Sequence, residues 1–208
     1  EQFILVLAVV LGIGFSIGLF FLLPMLLSEF ALAWIGSDFV RNLIEGVVRV
    51  AIFLGYMIAV SRLKDMKRVF SYHGAEHKTI RCYEAKLPLT VENVRPMTRL
   101  HPRCGTSFLF VVMIVSILVF SVFSSIFHIK AKLLKVLVKL LLLPVVVSIS
   151  YEFNRFVGRH DNAVTRALSY PGMALQNFTT NEPDDSMIEV AIRALELVLP
   201  EREGDDRW

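Results

Sequence analysis

The chain has 208 residues, is 55% hydrophobic and has a mean hydropathy of +0.59, which is too apolar for an ordinary soluble domain of this size. Its formal charge is +3, and the distribution of that charge says more than the total. The sequence holds no glycine-rich phosphate loop and no recognisable nucleic-acid module, so neither a nucleotide nor a nucleic acid is expected as a partner.

A bilayer crossing takes about 20 mostly apolar residues. Phe3–Leu27 runs without a charge and is too long, with too little basic character at its start, for a cleavable leader. It reads as the first span. The chain opens on Glu1 rather than Met, so an upstream segment is expected. Residues 28–39 carry no Lys or Arg. The second span, about Val40–Val60, carries Asp38, Arg41, Glu45 and Arg49 at helical spacing, which makes one polar stripe. Ionisable groups in a span usually face the bundle interior or water. Glu45 and Arg49 can pair along the helix, as a structural ion pair or as part of a polar path.

Ser61–Thr106 holds ten Lys or Arg against four Asp or Glu. By the positive-inside rule this loop is cytoplasmic and 28–39 is outside. Its thiols, Cys82 and Cys104, are then expected to stay reduced. Arg62–Ala85 reads as a helix with a basic face toward anionic headgroups, making membrane lipids a partner. Within it, His73-Gly74-Ala75-Glu76-His77 gives the H-x-x-E-H order of an inverted zincin. Histidines four apart share a helix face and can grip one metal ion, and Glu76 beside them can take a proton from water. Gly74 weakens the helix. Glu84, seven residues past His77, lies on the same face. The plain alternative is two surface histidines on an amphipathic helix.

His101-Pro102-Arg103-Cys104 stands just before the third span, Phe108–Phe127. It is either a turn that caps that span or a second ligand pair. Four ligands, His73, His77, His101 and Cys104, would close a structural zinc site; two histidines plus one further ligand would leave a catalytic position open. Glu152, at the cytoplasmic end of a fourth span at about Leu133–Tyr151, is another possible third ligand. Lys130, Lys132, Lys135 and Lys139 near the second outside loop count against the orientation unless they snorkel. The tail Glu152–Trp208 has eleven acidic and six basic residues, opposite in sign to the 61–106 loop, so the two can dock. In it, Pro171–Phe178 is a short apolar segment suited to the interface. Ser186 and Glu189 form a capping box for a helix over Met187–Leu199 that Pro200 ends.

The expected architecture is therefore all-α and polytopic, with about four transmembrane helices. The divisions are 1–60 (two spans), 61–106 (basic loop), 107–151 (two spans) and 152–208 (acidic tail), with both termini cytoplasmic in a bacterial inner membrane. The favoured function is a zinc-type hydrolase acting on a membrane peptide or a lipid, with Glu76 as base. Soft thiolate and imidazole donors favour Zn²⁺ over Mg²⁺. The rivals are a scaffold stapled by a closed structural metal and a small transporter or channel using the polar stripe.

Ser71–Lys78, His101–Ser107 and Glu182-Pro183-Asp184-Asp185 together resemble the YqhQ-like family, bacterial membrane proteins described as metal-dependent enzymes. The resemblance covers most of the chain, from the second span to near Leu199. It implies metal-linked roles for His73, Glu76, His77, His101 and Cys104, and draws attention to Glu45, Arg49, Pro171, Gly172 and Gln176. Family members usually carry a Gly-Gly-Gln-Ala-Val-x-Glu-Gly-Val-Met-Met-Arg-like segment before the first span, and this chain starts after that point. If that segment helps to build the site, the site in this chain is incomplete.

Overall fold

The computed structural model describes residues 2–31, 34–127, 131–160 and 162–199. Regular structure among them is all helical, without a strand. Four helical stretches are long and apolar enough to cross a membrane: Gln2–Leu27, Phe39–Ser61, Gly105–Ile126 and Val136–Arg159. This is the expected all-α membrane protein. The fourth stretch runs on past Tyr151 to Arg159. Lys130 and Pro200, and the side chains of Asp38, Lys132 and Lys135, lie outside the described residues.

The chain divides into two compact units, one of residues 1–56 and 112–149, the other of 57–111 and 150–208. The first unit begins with α1 (Gln2–Ile17), a π-helical turn (Gly18–Leu22) and α2 (Leu23–Ala31). Pro24 explains the turn. It has no N–H to give to the carbonyl four residues back, that of Phe20, and the local ladder widens so that Leu23 N–H reaches Gly18 O. The unit also contains most of α3 (Asp38–Ser61) and parts of α6 (Gly105–Ile126) and α7 (Lys132–Arg159). Phe20 packs edge-on to Tyr56, with centroids 5.5 Å apart. Gly46 lies directly under the Ile117 side chain, where a Cβ would collide.

In the second unit α4 (Lys64–Glu84) is the central element. It ends in a Schellman arrangement: Lys86 N–H donates to Tyr83 O and Leu87 N–H to Cys82 O, with Lys86 at φ 56°. A short α5 (Val91–Val94) follows. Further on, α8 (Ala163–Thr179) is opened by an Asn162–Thr165 capping box and runs straight through Pro171. The apolar Pro171–Phe178 stretch is thus part of a longer helix, with Gly172, Leu175 and Gln176 buried. α9 (Asp185–Glu196) is capped by Asp184, which accepts from Met187 N–H. This corrects the Ser186–Glu189 capping box: the Ser186 hydroxyl instead donates to Asp184 Oδ1, 2.7 Å away.

The acidic tail does dock on the basic loop. Ile188 and Ile192 of α9 pack with Ala75, Cys82 and Val94 in one buried cluster. Asp185 takes a bidentate pair from Arg95, and Glu182 meets both the buried Lys78 and Arg99. The Arg95 pair is exposed and adds little. The apolar cluster holds the tail in place, and the charges select its orientation.

Candidate metal centre

His73 and His77 lie one turn apart on α4, their rings edge to face with centroids 4.4 Å apart. The turn before α6 brings Cys104 to them, with Sγ 3.4 Å from His73 Nε2. The donor atoms of His73, His77 and Cys104 all lie within 4.8 Å of one another. Bond lengths of about 2.0–2.1 Å for Zn–N and 2.3 Å for Zn–S imply edges of roughly 3.3–3.6 Å in a tetrahedral site. A movement of about an ångström or less in the side chains closes the set.

Both imidazoles are oriented by backbone carbonyls. His73 Nδ1–H donates to Thr179 O at 2.8 Å, and His77 Nδ1–H donates to Arg99 O at 2.6 Å. With Nδ1 carrying the proton, the lone pair of each ring is on Nε2. Metal-binding histidines are commonly held in this way. The Thr106 hydroxyl lies 3.2 Å from Cys104 Sγ and orients the sulfur. Burial pushes the Cys104 thiol up, but hydrogen bonds with His73, His77 and Thr106 more than reverse this and bring it to about 5. The same contact with Cys104 holds the His73 imidazolium above its ordinary range, against the lowering effect of burial.

Gly74 belongs to this geometry. The chain leaving α8 crosses α4 at that residue, where Asn181 N–H donates to Phe70 O at 2.8 Å. A Cβ at position 74 would run into the Asn181 carbonyl. The glycine that weakens the helix is what lets Thr179 reach His73.

The other expected residues take different places. His101 is buried, its ring centroid 5.9 Å from that of His77, but both its nitrogens are engaged. Arg103 N–H donates to Nδ1, so Nε2 carries the proton and donates to Glu84 at 3.2 Å. No lone pair is left for a metal, and the four-ligand closed set is not assembled. Glu84, which also receives Arg103 at 2.7 Å, serves His101 instead of a metal. Glu152 stands outside the cluster, two-thirds exposed and 3.5 Å from Arg155. Glu76 is exposed on the flank of the His73 face, near enough for its charge to contribute to the raised pKa of His73.

Sequence reasoning missed Gln176 as a structural clamp. Fully buried, it accepts from His101 N–H and donates to both His101 O and the Ser107 hydroxyl. The family resemblance drew attention to Gln176 without giving it a role, and the residues themselves offered only an amide in the apolar run Met173–Phe178. Gly172 permits the approach, since its missing Cβ faces Ser107. In the first unit, Glu45 and Arg49 pair at 2.7 Å with little exposure, and Lys139 lies 3.3 Å from Glu45.

A family model described as "Protein of unknown function (DUF1385)" matches residues 1–201. A curated relative, "Uncharacterized protein YqhQ" of Bacillus subtilis (strain 168), is 39% identical over 191 residues. That match takes in 91% of this chain and 59% of the relative, so the chain spans less than two thirds of its length. No solved structure matches.

Proposed function

Because this chain belongs to the YqhQ-like DUF1385 family, whose description assigns no activity, the chemistry must come from the site itself, and we propose that the protein is a membrane-bound, zinc-type hydrolase whose metal is held by His73, His77 and Cys104. The observation that carries this reading is the orientation of two imidazoles by backbone carbonyls, with one donor atom each of His73, His77 and Cys104 within 4.8 Å of one another. Three protein ligands leave a fourth position for water or substrate. A zinc ion supplies a Lewis acid and lowers the pKa of a bound water. In this reading Glu76, exposed on the flank of the His73 face, would act as the base that takes a proton from a water attacking an ester or amide carbonyl. It then returns the proton to the departing alkoxide or amine, so the bond to the leaving group breaks as water is added. Cys104 directly precedes α6, a membrane-crossing stretch, so a membrane peptide or a lipid is the substrate class that reaches the site without leaving the bilayer.

Metal analysis of the purified full-length chain tests this reading. About one equivalent of zinc is expected. His77→Ala and Cys104→Ser should each lose it, whereas His101→Ala should keep it, since His101 has no free lone pair. Glu76→Gln should retain the metal and lose hydrolysis of ester or amide probes by about 10²-fold or more. Folded wild-type protein that takes up no zinc would overturn the centre. Full activity in Glu76→Gln would remove Glu76 as base. A thiolate nucleophile at Cys104 paired with His73 is the competing use of the same atoms. It predicts zinc-free activity that is abolished in Cys104→Ser.

A further inference from the structure

In the second unit, α8 is built inside out. Its buried face carries Thr165, Gln176 and Thr179 beside Gly172 and Leu175. Its outward face carries Val164, Ala167, Leu168, Tyr170, Pro171 and Phe178, with Val164 66% and Tyr170 67% exposed. At 3.6 residues per turn these six cover roughly 160° of the helix surface, and no charge falls among them. A helix surrounded by water turns its apolar side inward. A wide apolar face turned outward marks contact with another apolar body.

Contacts inside the same unit fix the level at which this face lies. Gln176 Nε2 donates to the Ser107 hydroxyl at 2.8 Å, and Gly172 turns its bare Cα to the same serine. Ser107 belongs to the first turn of the membrane-crossing stretch Gly105–Ile126, about 3 Å along the axis from its start. The other crossing stretch nearby, Val136–Arg159, ends four residues before α8 begins. The two ends are neighbours, since a Cβ on Gly158 would sit 3.4 Å from Arg103 Cγ. The middle of α8 therefore lies where both crossings meet the membrane surface.

The body found at that level is lipid. A helix with one wide apolar face lies in the plane of the bilayer there, that face sunk about 5–10 Å into the boundary between headgroups and acyl chains. Tyr170, an apolar ring with a polar tip, matches such a boundary. Arg166 and Asn177, three turns apart, share one edge of the helix. Asn177 Oδ1 lies 3.4 Å from Arg99 Nη2, so this polar edge turns to the basic loop.

We propose that the outward face of α8 is a lipid-docking surface, and that the helix lies in the bilayer interface with Ala167, Leu168 and Phe178 among acyl chains. Its inner face meets the metal centre through Thr179 O, which His73 holds at 2.8 Å. His73 is thus separated from lipid by about one helix diameter, roughly 10–12 Å. The surface does not depend on that centre holding a metal and would stand if that reading failed.

Spin labelling of the full chain in phosphatidylcholine–phosphatidylglycerol vesicles tests this. Ala167→Cys, Leu168→Cys and Phe178→Cys probe the face, and Ala194→Cys, exposed on α9, serves as the water reference. Cys82 and Cys104 are buried, and their background is read from the parent chain. The ratio of collision rates with oxygen and with a neutral nickel chelate separates lipid from water. It should be about threefold or more higher at the three α8 sites than at Ala194→Cys. Three separate sites keep the test standing if one variant fails to fold. A ratio no higher than the reference would overturn the proposal. Low collision rates with both reagents would overturn it too: spin–spin broadening that disappears on dilution with unlabelled chain would put a second copy on this face, and its absence would put another part of the same chain there.

Discussion

The His101–Glu84 hydrogen bond makes the second unit sensitive to acid. That bond is the largest influence on Glu84 and lowers its carboxyl below the ordinary 4.5; burial opposes it, and the charges of His101, Arg103 and Arg81 add to the lowering. A depressed carboxylate stabilises the fold above its unfolded pKa and loses that contribution as pH falls through the folded value. Melting temperature should therefore drop as pH is taken from about 5 to about 3, and Glu84→Gln should flatten that limb. Identical slopes for the two proteins would remove Glu84 from this role. A second test belongs to Gly74. Gly74→Ala forces the Asn181 carbonyl away and should cost about 1–3 kcal/mol in unfolding experiments. It should also weaken zinc retention by pulling Thr179 O from His73. An alanine variant as stable as the parent would contradict the close approach. At this scale the sequence was readable where ligands sit on one helix: the four-residue spacing alone puts His73 and His77 on one face. It was not readable for His101. A ring nitrogen goes to whichever neighbour lies nearest, and the Arg103 amide, Glu84 and Gln176 become neighbours only through folding.

Among the elements, α4 does the most positioning, and its ending can be improved. Lys86 occupies the left-handed position of the Schellman turn that glycine usually fills. Lys86→Gly should raise stability by about 1 kcal/mol, read as a shift in denaturant midpoint at unchanged m-value. A loss of stability would mean that the lysine side chain contributes more than its backbone strain costs. Helix periodicity located α4 and the spans well, because their apolar patterns are long. The α9 cap was misplaced by two residues: Asp184 and Ser186 are both good cap formers, and only the chain's entry direction decides between them. Pro171 made a break look natural, yet α8 continues through it, because packing of Gly172, Leu175 and Gln176 outweighs one lost backbone bond.

For the molecule as a whole, charge asymmetry predicts which membrane face each loop occupies, with ten basic residues in 61–106 and none in 28–39. Cys82 and Cys104 are both buried and would be poor reporters. A cysteine placed by Gly36→Cys should react with an impermeant maleimide in intact cells, and one placed by Lys86→Cys should not; the reverse pattern would invert the topology. Span number and fold class followed from hydropathy because a bilayer sets a length. The grouping of the basic loop with the acidic tail was visible only as opposite charge, since the Ala75–Ile188 cluster joins apolar residues that no local pattern connects. That grouping also sets a timetable. The carbonyl that orients His73 belongs to Thr179, 106 residues further along the chain. A nascent polypeptide emerging from the ribosome carries both histidines and Cys104 long before Thr179 and Gln176 exist, so the centre is completed only after the last membrane crossing has been synthesised. Until then the exposed thiol and imidazoles are open to any soft metal or oxidant they meet, and full maturation waits for the end of translation.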